Sequence, residues 1–318
     1  MISKNALAPL SLNWIWIWGF IFTVIWHPGW TAELQPQNPQ DEVKYVEEVE
    51  AWRTANEEKL RAPFGWLALT GHYWLQEGEN LVGTSSDCSI KLPADLDWAI
   101  QGVVTVTSGQ VVLKTAEAAG IRVNEKWIEE YRLNIQKDQE EADSPDSITI
   151  GDRLKLQLVR RAGRLAIRVR DRESSIRKNF EGKHWHTIRP ELCVEARFEP
   201  YEPEKRIRII NIQGDSVEAV LAGRLRFQLS DQEWTLDAIS EGDDALFVVF
   251  KDRSSGKSTY GPGRFLTLAS PAEGRVTIDF NKAYNPPCAF SPHTLCPLPP
   301  RQNHLDLEIK AGERVDSK

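Results

Sequence analysis

The chain has 318 residues, enough for two ordinary domains, and its 41% hydrophobic and 27% charged residues are typical of a folded protein and not of a disordered one. Its formal net charge of −7 argues against broad nucleic-acid binding, because that function needs a positive field around the protein. We expect no nucleic acid as a partner. The expected partner is an unidentified small molecule or a component of the cell envelope.

The first 32 residues have the pattern of an export signal. Lys4 supplies a positive charge, and the run from Leu10 to Trp26 is apolar apart from three residues. Ala32 is the predicted cleavage point, although Trp30 stands where a small residue is preferred. The alternative is an uncleaved membrane anchor, for which this run is short, because a full span takes about 20 residues. We expect an exported protein, periplasmic or extracellular, that meets a membrane only through an uncleaved N-terminal segment.

A helix is predicted over residues 38–62. Asn38 and Pro39 form a helix-start signal, because Asn caps the first turn and Pro suits the first helical position, and Pro63 marks the end. Apolar residues then recur at helical spacing along one side: Val43, Val46, Val49 and Trp52. We expect this narrow apolar stripe to lie across a β-sheet.

From residue 63 to residue 171 the sequence predicts a β-sandwich. Short apolar segments, beginning with Trp66–Leu69, alternate with turns rich in Gly, Asp or Ser. This region resembles the forkhead-associated (FHA) β-sandwich at Gly83, with the SSDCSIKLP that follows it, and at Asn124 within IRVNEKWI. FHA members that bind phosphothreonine have an Arg beside that Gly, whereas Thr84 follows Gly83 here. The resemblance therefore implies the fold and not the binding of phosphothreonine.

Two patterns of basic side chains each leave two alternatives open. Arg168, Arg170 and Arg172 alternate along one predicted strand and so share one face, where they form either an anion site or an ion-paired surface. His184 and His186 also share a face and are either ordinary strand residues or two ligands of a metal. No carboxylate near these histidines has the spacing of a third ligand.

Residues 172–314 are predicted to form a second antiparallel β-barrel or sandwich. The apolar run Ala245–Phe250 is the expected central strand. Asp252 follows it, and a hairpin turn brings Tyr260 and Arg264 back to Asp252. A proline-dense C-terminal segment, neither helix nor central strand, closes the domain. Just before it, the next strand delivers four further side chains: Asp279, Asn281, Tyr284 and Asn285.

Three segments of the chain resemble one known family. They are GWLALTGHYWLQEGEN, FKDRSSGKSTYGPGRFL and DFNKAYNPPCAFSPHTLCPLPPRQNHL, and the chain closes with IKAGER. They are similar to the bacterial and archaeal family DUF1684, and the resemblance covers nearly everything from Trp52 to Arg314. The function of that family is unknown, so the resemblance implies a two-part, mostly β architecture and no chemistry. His293 and His304 lie outside the family motif, which weakens any metal site that needs them.

Two structural interpretations of the C-terminal cysteines are open. In the first, Cys288 and Cys296 form a disulfide, which export to an oxidising compartment favours. A hydrogen-bonded clasp would then hold the proline segment to the barrel, formed by Asp252, Arg264, Asp279 and Asn281. In the second, zinc is the cofactor and is bound by Cys288, Cys296 and His304, although the cysteines are further apart than is usual for zinc sites.

The third interpretation is a ligand-binding or catalytic pocket at the same place. A hydrolase would use Asp252 and Asp279 as paired carboxylates, with metal assistance through Cys288 and Cys296 as an option. A binding site would use five other side chains, with the arginine holding an anionic group: Tyr260, Arg264, Asn281, Tyr284 and Asn285. We favour an exported ligand-binding or structural protein with a pocket at this Pro/Cys motif, and the hydrolase is the alternative.

Overall fold

The structure is a computed structural model, and it describes residues 39–315 apart from residues 97, 98, 100, 116–119, 136–141 and 241–244. The predicted export signal at residues 1–32 lies outside these described residues and stays a prediction. Within the described part of the chain, no helix has both the length and the apolar character that crossing a membrane requires.

The predicted N-terminal helix is present as α1 (Pro39–Arg61). Acidic residues lie in its first turn and basic residues in its last turn, which suits the helix dipole at both ends. Val49, in the middle of the predicted apolar stripe, is fully buried, but Val43 is 59% exposed. The helix therefore packs on the rest of the protein through its middle and C-terminal turns, where Arg53 and Leu60 are also buried.

Mostly antiparallel strands build the predicted β-sandwich. In chain order they are β1 (Leu69–Trp74), β2 (Gly78–Gly83), β3 (Ile90–Lys91), β4 (Gly102–Thr107), β5 (Gln110–Thr115), β6 (Ile121–Val123), β7 (Lys126–Trp127), β8 (Glu130–Leu133), β9 (Ala142–Asp143), β10 (Ile148–Ile150), β11 (Leu154–Arg161) and β12 (Arg164–Asp171). One sheet has the order β1-β12-β11-β10-β6-β7, with β9 paired to β11, and the other has the order β3-β2-β4-β5-β8. The pair β2–β3 is parallel.

The core of the sandwich lies between its two sheets. Val104 and Leu113 from one sheet and Leu156 and Val169 from the other are at most 1% exposed and belong to one apolar cluster. Because side chains alternate between the two faces of a strand, this burial produces the period-two pattern that the sequence shows. The β-sandwich is thus confirmed, whereas its similarity to FHA domains stays a prediction.

The first strand of the sandwich begins later than predicted. The strand expected over Trp66–Leu69 starts only at Leu69, and the three residues before it form a short 3-10 helix. Gly65 sets this turn, because a Cβ there would lie 2.6 Å from the carbonyl oxygen of Leu60 and 2.7 Å from that of Lys59. The backbone here passes too close to the end of α1 to adopt the extended conformation of a strand. Leu67 and Ala68 in the turn are buried although they do not belong to a strand.

The second β region forms a nearly closed barrel. Six of its strands make an antiparallel sheet in the order β18-β17-β16-β15-β14-β19, and the two end strands β18 and β19 lie near each other. β13 and β20 pair separately. In chain order the elements of this region are α2 (Ser175–Lys178), β13 (His184–Trp185), β14 (Cys193–Ile210), β15 (Ser216–Leu229), β16 (Gln232–Ser240), β17 (Ala245–Phe250), β18 (Arg264–Ala269), β19 (Arg275–Asp279) and β20 (Glu313–Arg314).

The core of the barrel contains the strand that was predicted to be central. β17 lies between β16 and β18, and its last three residues are buried. Phe250 at its end is fully buried and its ring centroid is 5.6 Å from that of Phe280, which follows β19. The predicted second antiparallel β region is therefore confirmed as a barrel-like sheet packed around an aromatic and aliphatic core.

β14 is longer than the sequence predicted. The two strands expected at Cys193–Phe198 and Arg206–Ile210 are the two ends of one strand of 18 residues. Its pairing with β15 shifts register between Pro200 and Lys205, so the polar residues at that point mark a bulge and not a loop. The two strands continue beyond the bulge as a long hairpin.

The end of this hairpin helps to fix the proline-rich segment. The N–H of Ile212 donates to the carbonyl oxygen of Cys296 at 3.0 Å. On the other side, the hydroxyl of Ser291 donates to the carbonyl oxygen of Leu69 in the first strand of the sandwich at 3.1 Å. The segment is therefore held by both β regions, and its cysteines have defined positions.

Candidate functional site

Arg264 and Asp252 form a fully buried ion pair, at the hairpin where the sequence predicted their contact. Arg264 Nη2 lies 3.1 Å from Asp252 Oδ1, and both side chains are 0% exposed. The same nitrogen donates to the carbonyl oxygen of Ile309 at 3.1 Å, and Arg264 Nη1 donates to that of Ala311. Asp252 Oδ2 accepts the N–H of Ser254 and that of Ile309, at 3.1 and 2.8 Å. The pair joins the barrel hairpin to the end of the chain.

This ion pair has the character of a structural clasp. Burial lowers the pKa of Arg264, and the attraction of Asp252 opposes that effect. Because the arginine donates to two backbone carbonyls and one carboxylate, its guanidinium is directed into the protein and not toward a ligand. The geometry thus favours a structural role for Asp252 and Arg264 over an anion-binding role, but the pair holds Ile309 and Ala311 and not the proline-rich segment that the predicted clasp was expected to hold.

Asp279 belongs to a different network, which attaches α1 to the barrel. Its Oδ1 accepts the hydroxyl of Tyr45 at 2.9 Å and the N–H of Asn281 at 3.0 Å, and Lys282 Nζ lies 3.5 Å from its Oδ2. The Asn281 side chain donates to the Tyr45 hydroxyl oxygen and to the carbonyl oxygen of Arg189, at 2.9 and 2.8 Å. Burial, with the nearby Asp279, raises the pKa of Tyr45. Asp279 and Asn281 thus have structural partners from three parts of the chain.

Lys183 and Glu313 form a second buried ion pair, which the sequence analysis missed. Lys183 Nζ lies 2.8 Å from Glu313 Oε2, and the two side chains are 3% and 2% exposed. The ammonium also donates to Asn56 Oδ1 at 2.7 Å, and Glu313 Oε2 accepts the N–H of Asn285 at 2.9 Å. Burial raises the pKa of Glu313, and Lys183 acts in the opposite direction.

Three aromatic rings surround the Lys183 ammonium, and we call them the aromatic cage: Trp185, Tyr284 and Phe290. Their centroids lie 5.5, 5.9 and 5.3 Å from Nζ, which is within the range of cation–π attraction. The ring of Trp52 in α1 packs on Trp185 at 6.0 Å and on Tyr284 at 6.2 Å. Tyr284, predicted to line a ligand pocket, is therefore part of a cage that is filled by the protein's own lysine.

The cysteines of the proline-rich segment lie next to each other without a bond. All four cysteines of the chain are free in the structure, so the predicted Cys288–Cys296 disulfide is not formed. The N–H of Cys288 donates to Cys296 Sγ at 3.2 Å. The hydroxyl of Tyr260 lies 3.6 Å from Cys288 Sγ, and Cys296 Sγ donates to Thr294 Oγ1 at 3.7 Å. The spacing of the two cysteines thus indicated their proximity correctly.

The alternative zinc site is not assembled. Across the described residues, no three side chains of His, Cys, Asp or Glu lie together in a way that could hold a metal ion. His304 is exposed and its Nε2 is 3.2 Å from the carbonyl oxygen of Pro299, whereas Cys296 is buried. The predicted metal role of His184 and His186 likewise finds no third ligand among those residues.

The three arginines that alternate at the end of β12 and directly after it have three different environments. Arg170 donates to two backbone carbonyls that precede β1, at 3.1 and 2.9 Å. The side chain of Arg168 is 5% exposed and lies 3.9 Å from Asp143, and Arg172 is exposed. The two inner arginines therefore serve packing and ion pairing, and the structure favours that alternative over an anion site.

An open cleft of about 510 Å³ borders the proline-rich segment, and we call it the Phe290 cleft. The rings of Phe180 and Phe290 meet edge to face in its wall, with centroids 5.8 Å apart. The guanidinium of Arg61 covers Phe180 at 4.7 Å and donates to its carbonyl oxygen. The other lining residues come from the turn before β1, from α2 and its vicinity, and from the motif: Leu67, Ser175, Ile176, Asn179, Glu181, Gly182, His184 and Ala289.

The comparison with protein families confirms the resemblance noted in the sequence over the C-terminal part of the predicted span and not over the part before residue 178. The family model described as a protein of unknown function, DUF1684, matches residues 178–314. A solution NMR structure of an uncharacterized protein from Haloarcula marismortui is 33% identical, covers 44% of this chain and 80% of its own, and has a TM-score of 0.38. The comparison with curated proteins found no match.

Proposed function

The chain belongs to the DUF1684 family, whose function is unknown, and on this premise we propose that it is an exported protein that binds a small neutral molecule in the Phe290 cleft. The Pro/Cys motif contributes Ala289 and Phe290 to this cleft. The proposed pocket therefore borders the motif, although most of its lining comes from residues outside the predicted site.

The observation that carries this proposal is the size and make-up of the cleft. Its volume of about 510 Å³ falls within the range of small-molecule sites, roughly 300–1,000 Å³. Phe180 and Phe290 offer flat apolar surface, on which the body of a ligand can pack. Polar side chains that could meet its polar ends line the cleft at Ser175 and Asn179.

The wall of the cleft is held in position from behind. The ring of Phe290 is also a member of the aromatic cage, so its other contact is the Lys183 ammonium at 5.3 Å. Lys183 is fixed in turn by its ion pair with Glu313. A wall that is already ordered loses little conformational entropy when a ligand binds, and this preorganisation favours affinity.

The charge at the rim favours a neutral ligand. Glu181 brings a negative charge to the lining and the Arg61 guanidinium over Phe180 brings a positive one, so the cleft prefers neither an anion nor a cation. Arg264, the residue expected to hold an anionic group, is fully buried in the clasp instead. We therefore expect a neutral molecule with an apolar ring and a few hydrogen-bonding groups.

Binding of the neutral fluorescent probe N-phenyl-1-naphthylamine tests this proposal. We expect a saturable rise in fluorescence with a dissociation constant on the order of 10–100 µM, as the efficiency of drug-sized ligands implies. Phe290→Ala is expected to weaken binding by about tenfold or more, because about 2 kcal/mol of apolar contact is lost. Asn179→Arg, at an exposed rim position outside the aromatic cage, is expected to weaken it as well.

Trp127→Ala provides the matched control for these titrations. Trp127 is 64% exposed and lies on β7, at the opposite edge of its sheet from β1, beside which the cleft is found. Its loss should leave the dissociation constant unchanged. Probe binding that does not saturate, or that is equal in wild type, Phe290→Ala and Asn179→Arg, would contradict a site in the Phe290 cleft.

The hydrolase alternative has no specific contact in its favour. Asp252 is paired with Arg264, and Asp279 accepts hydrogen bonds from Tyr45 and Asn281. General acid–base work needs a carboxyl group within hydrogen-bond reach of a substrate proton. Both carboxylates already have protein partners, so binding is the function that we place first.

The proposed export is supported by the residue pattern of the N-terminal segment, from the charge of Lys4 to the small residue Ala32. N-terminal sequencing of the protein recovered from the periplasm or the medium is the test. A first residue of Glu33 is expected if cleavage follows Ala32. Recovery of the chain only from the cytoplasm, beginning at Met1, would contradict export.

A further inference from the structure

The two cysteines of the proline-rich segment are in direct contact. The N–H of Cys288 donates to Cys296 Sγ at 3.2 Å, which brings the second sulfur against the backbone of the first cysteine. Both cysteines belong to a small apolar cluster with Val249 and Phe265. Cys288 and Cys296 are eight positions apart in the sequence. Rigid prolines in this segment, together with its contacts to the rest of the protein, keep the two residues close in space.

The surroundings of the two sulfur atoms differ in a way that gives them different roles. The hydroxyl of Tyr260 lies 3.2 Å from the carbonyl oxygen of Cys288 and 3.6 Å from its Sγ, so its hydrogen is shared between them and can turn to a thiolate when one forms. Cys296 Sγ lies 3.7 Å from Thr294 Oγ1 and is buried in the small apolar cluster, and this burial favours the protonated thiol. The hydrogen bond with Cys296, assisted by Tyr260, lowers the pKa of Cys288, and the same contact together with burial raises that of Cys296.

Access to the pair also differs between its members. Cys296 is 6% exposed, whereas Cys288 is partly exposed and directly precedes Ala289, a lining residue of the Phe290 cleft. The partly exposed Cys288 is therefore the member of the pair that a small oxidant can reach from solvent, whereas the surrounding protein screens Cys296. This is the arrangement expected of an attacking thiolate with a resolving thiol behind it.

We propose that Cys288 and Cys296 form a two-electron redox site that reduces a hydroperoxide. The Cys288 thiolate attacks the peroxide oxygen, an S–O bond forms as the O–O bond breaks, and the oxygen leaving group takes up a proton as the alcohol, or as water from hydrogen peroxide. Cys296 Sγ then attacks the oxidised sulfur, an S–S bond forms, and the hydroxide that leaves combines with the Cys296 proton as water. The two thiols lose two electrons and the peroxide gains them.

The resulting disulfide is returned to two thiols by thiol–disulfide exchange with an external dithiol, which is oxidised in turn. This cycle is independent of the ligand in the Phe290 cleft, since it needs only the thiols and a small peroxide. It also differs from a permanent structural bridge, because both redox states of the pair belong to the working protein.

The test uses the reduced full-length protein and hydrogen peroxide as the probe. Wild type is expected to lose two hydrogen atoms in intact mass, with the bond mapped to Cys288–Cys296 and reversed by dithiothreitol. In Cys296→Ser the reaction should stop at a sulfenic acid on Cys288 that dimedone traps. Cys288→Ser should lose the fast reaction, whereas Cys193→Ser should retain it.

Tyr260→Phe separates a redox role from a merely structural one. Without the donated hydrogen bond, the pH at which the oxidation rate is half-maximal should rise, and the rate below it should fall by about tenfold, as one pKa unit implies. If a cysteine variant fails to fold, alkylation of the folded wild type replaces it: Cys288 should be modified before the buried Cys88. Equal rates in wild type and Cys288→Ser, an unchanged pH profile in Tyr260→Phe, or alkylation of Cys88 before Cys288 would overturn the proposal.

Discussion

Replacing Arg264 by methionine is expected to lower the free energy of unfolding by about 3–5 kcal/mol, the range for breaking a buried ion pair. Arg264 and Asp252 are both fully buried, so the variant leaves a carboxylate inside the barrel without its counter-charge. It also removes the donors to the carbonyl oxygens of Ile309 and Ala311, which attach the end of the chain. Urea denaturation followed by tryptophan fluorescence measures the loss.

Arg253→Met is the matched control for this substitution. Arg253 forms a similarly oriented pair with Asp306, but the two side chains are 60% and 78% exposed. Solvent screening makes such a surface pair worth at most about 1 kcal/mol. If both variants changed stability equally, or if Arg264→Met remained within about 1 kcal/mol of wild type, the clasp would not be a main support of the barrel.

Adding Asp252→Asn to Arg264→Met should restore part of the lost stability. The neutral amide removes the unpaired buried charge, while its oxygen can still accept the N–H groups of Ser254 and Ile309. We expect recovery on the order of 1–2 kcal/mol relative to the single variant. A double variant less stable than Arg264→Met would show that the buried carboxylate is tolerated without its arginine.

The contact between Asp252 and Arg264 could be predicted because it is local in the sequence, although the segment that it holds could not. Asp252 and Arg264 are separated by 12 positions, and a hairpin between two strands brings such residues together. The Lys183–Glu313 pair spans 130 positions and the Tyr45–Asp279 contact spans 234. No periodicity or spacing connects residues so far apart, so these contacts depend on how the helix, the sandwich and the barrel pack.

The residues of the alternative zinc site are not brought together in the structure, and their equal spacing along the sequence could not show this. Asn303 donates to the carbonyl oxygens of Asp237 and Val249, both at 2.9 Å, and accepts the N–H of Asp237 at 2.7 Å. These hydrogen bonds attach the chain to the barrel strands at the residue before His304, and His304 itself is exposed to solvent. Spacing along an irregular segment therefore predicts a shared site only where the path of the backbone between the residues is known.

The Pro/Cys motif combines three neighbouring features in seven residues. Tyr284 and Phe290 belong to the aromatic cage, Phe290 is also a wall of the cleft, and Cys288 between them faces Cys296. The motif thus links a buried charge network to a surface that solvent can reach. Because Lys183 holds the ring of Phe290 from behind, its ion pair should influence both stability and the shape of the cleft.

Replacing Lys183 by methionine should therefore have a large effect that depends on pH. Burial already raises the pKa of Glu313 above its ordinary value of 4.5, and Lys183 is the group that opposes this rise. Removing the ammonium raises the pKa of Glu313 further. An acid whose pKa is higher in the folded state stabilises the fold below its unfolded pKa, and this contribution is lost as the pH rises through the folded value.

We expect Lys183→Met to come closest to wild type in stability at acidic pH, where Glu313 can take up a proton, and to fall below it by about 3–5 kcal/mol as the pH rises toward 8. The slope between these limits should approach about 1.4 kcal/mol per pH unit, the value for one proton. Urea denaturation at a series of pH values measures it. The control is Lys178→Met, which breaks an exposed pair with Glu173.

The double variant Lys183→Met with Glu313→Gln decides whether Glu313 causes this pH dependence. The amide does not titrate, so the slope added by Lys183→Met should disappear, while the N–H of Asn285 keeps an oxygen acceptor. A slope that persisted would assign the titration to another group. A single variant as stable as wild type near pH 8 would mean that water reaches Glu313 and that the aromatic cage does not enclose a dry ion pair.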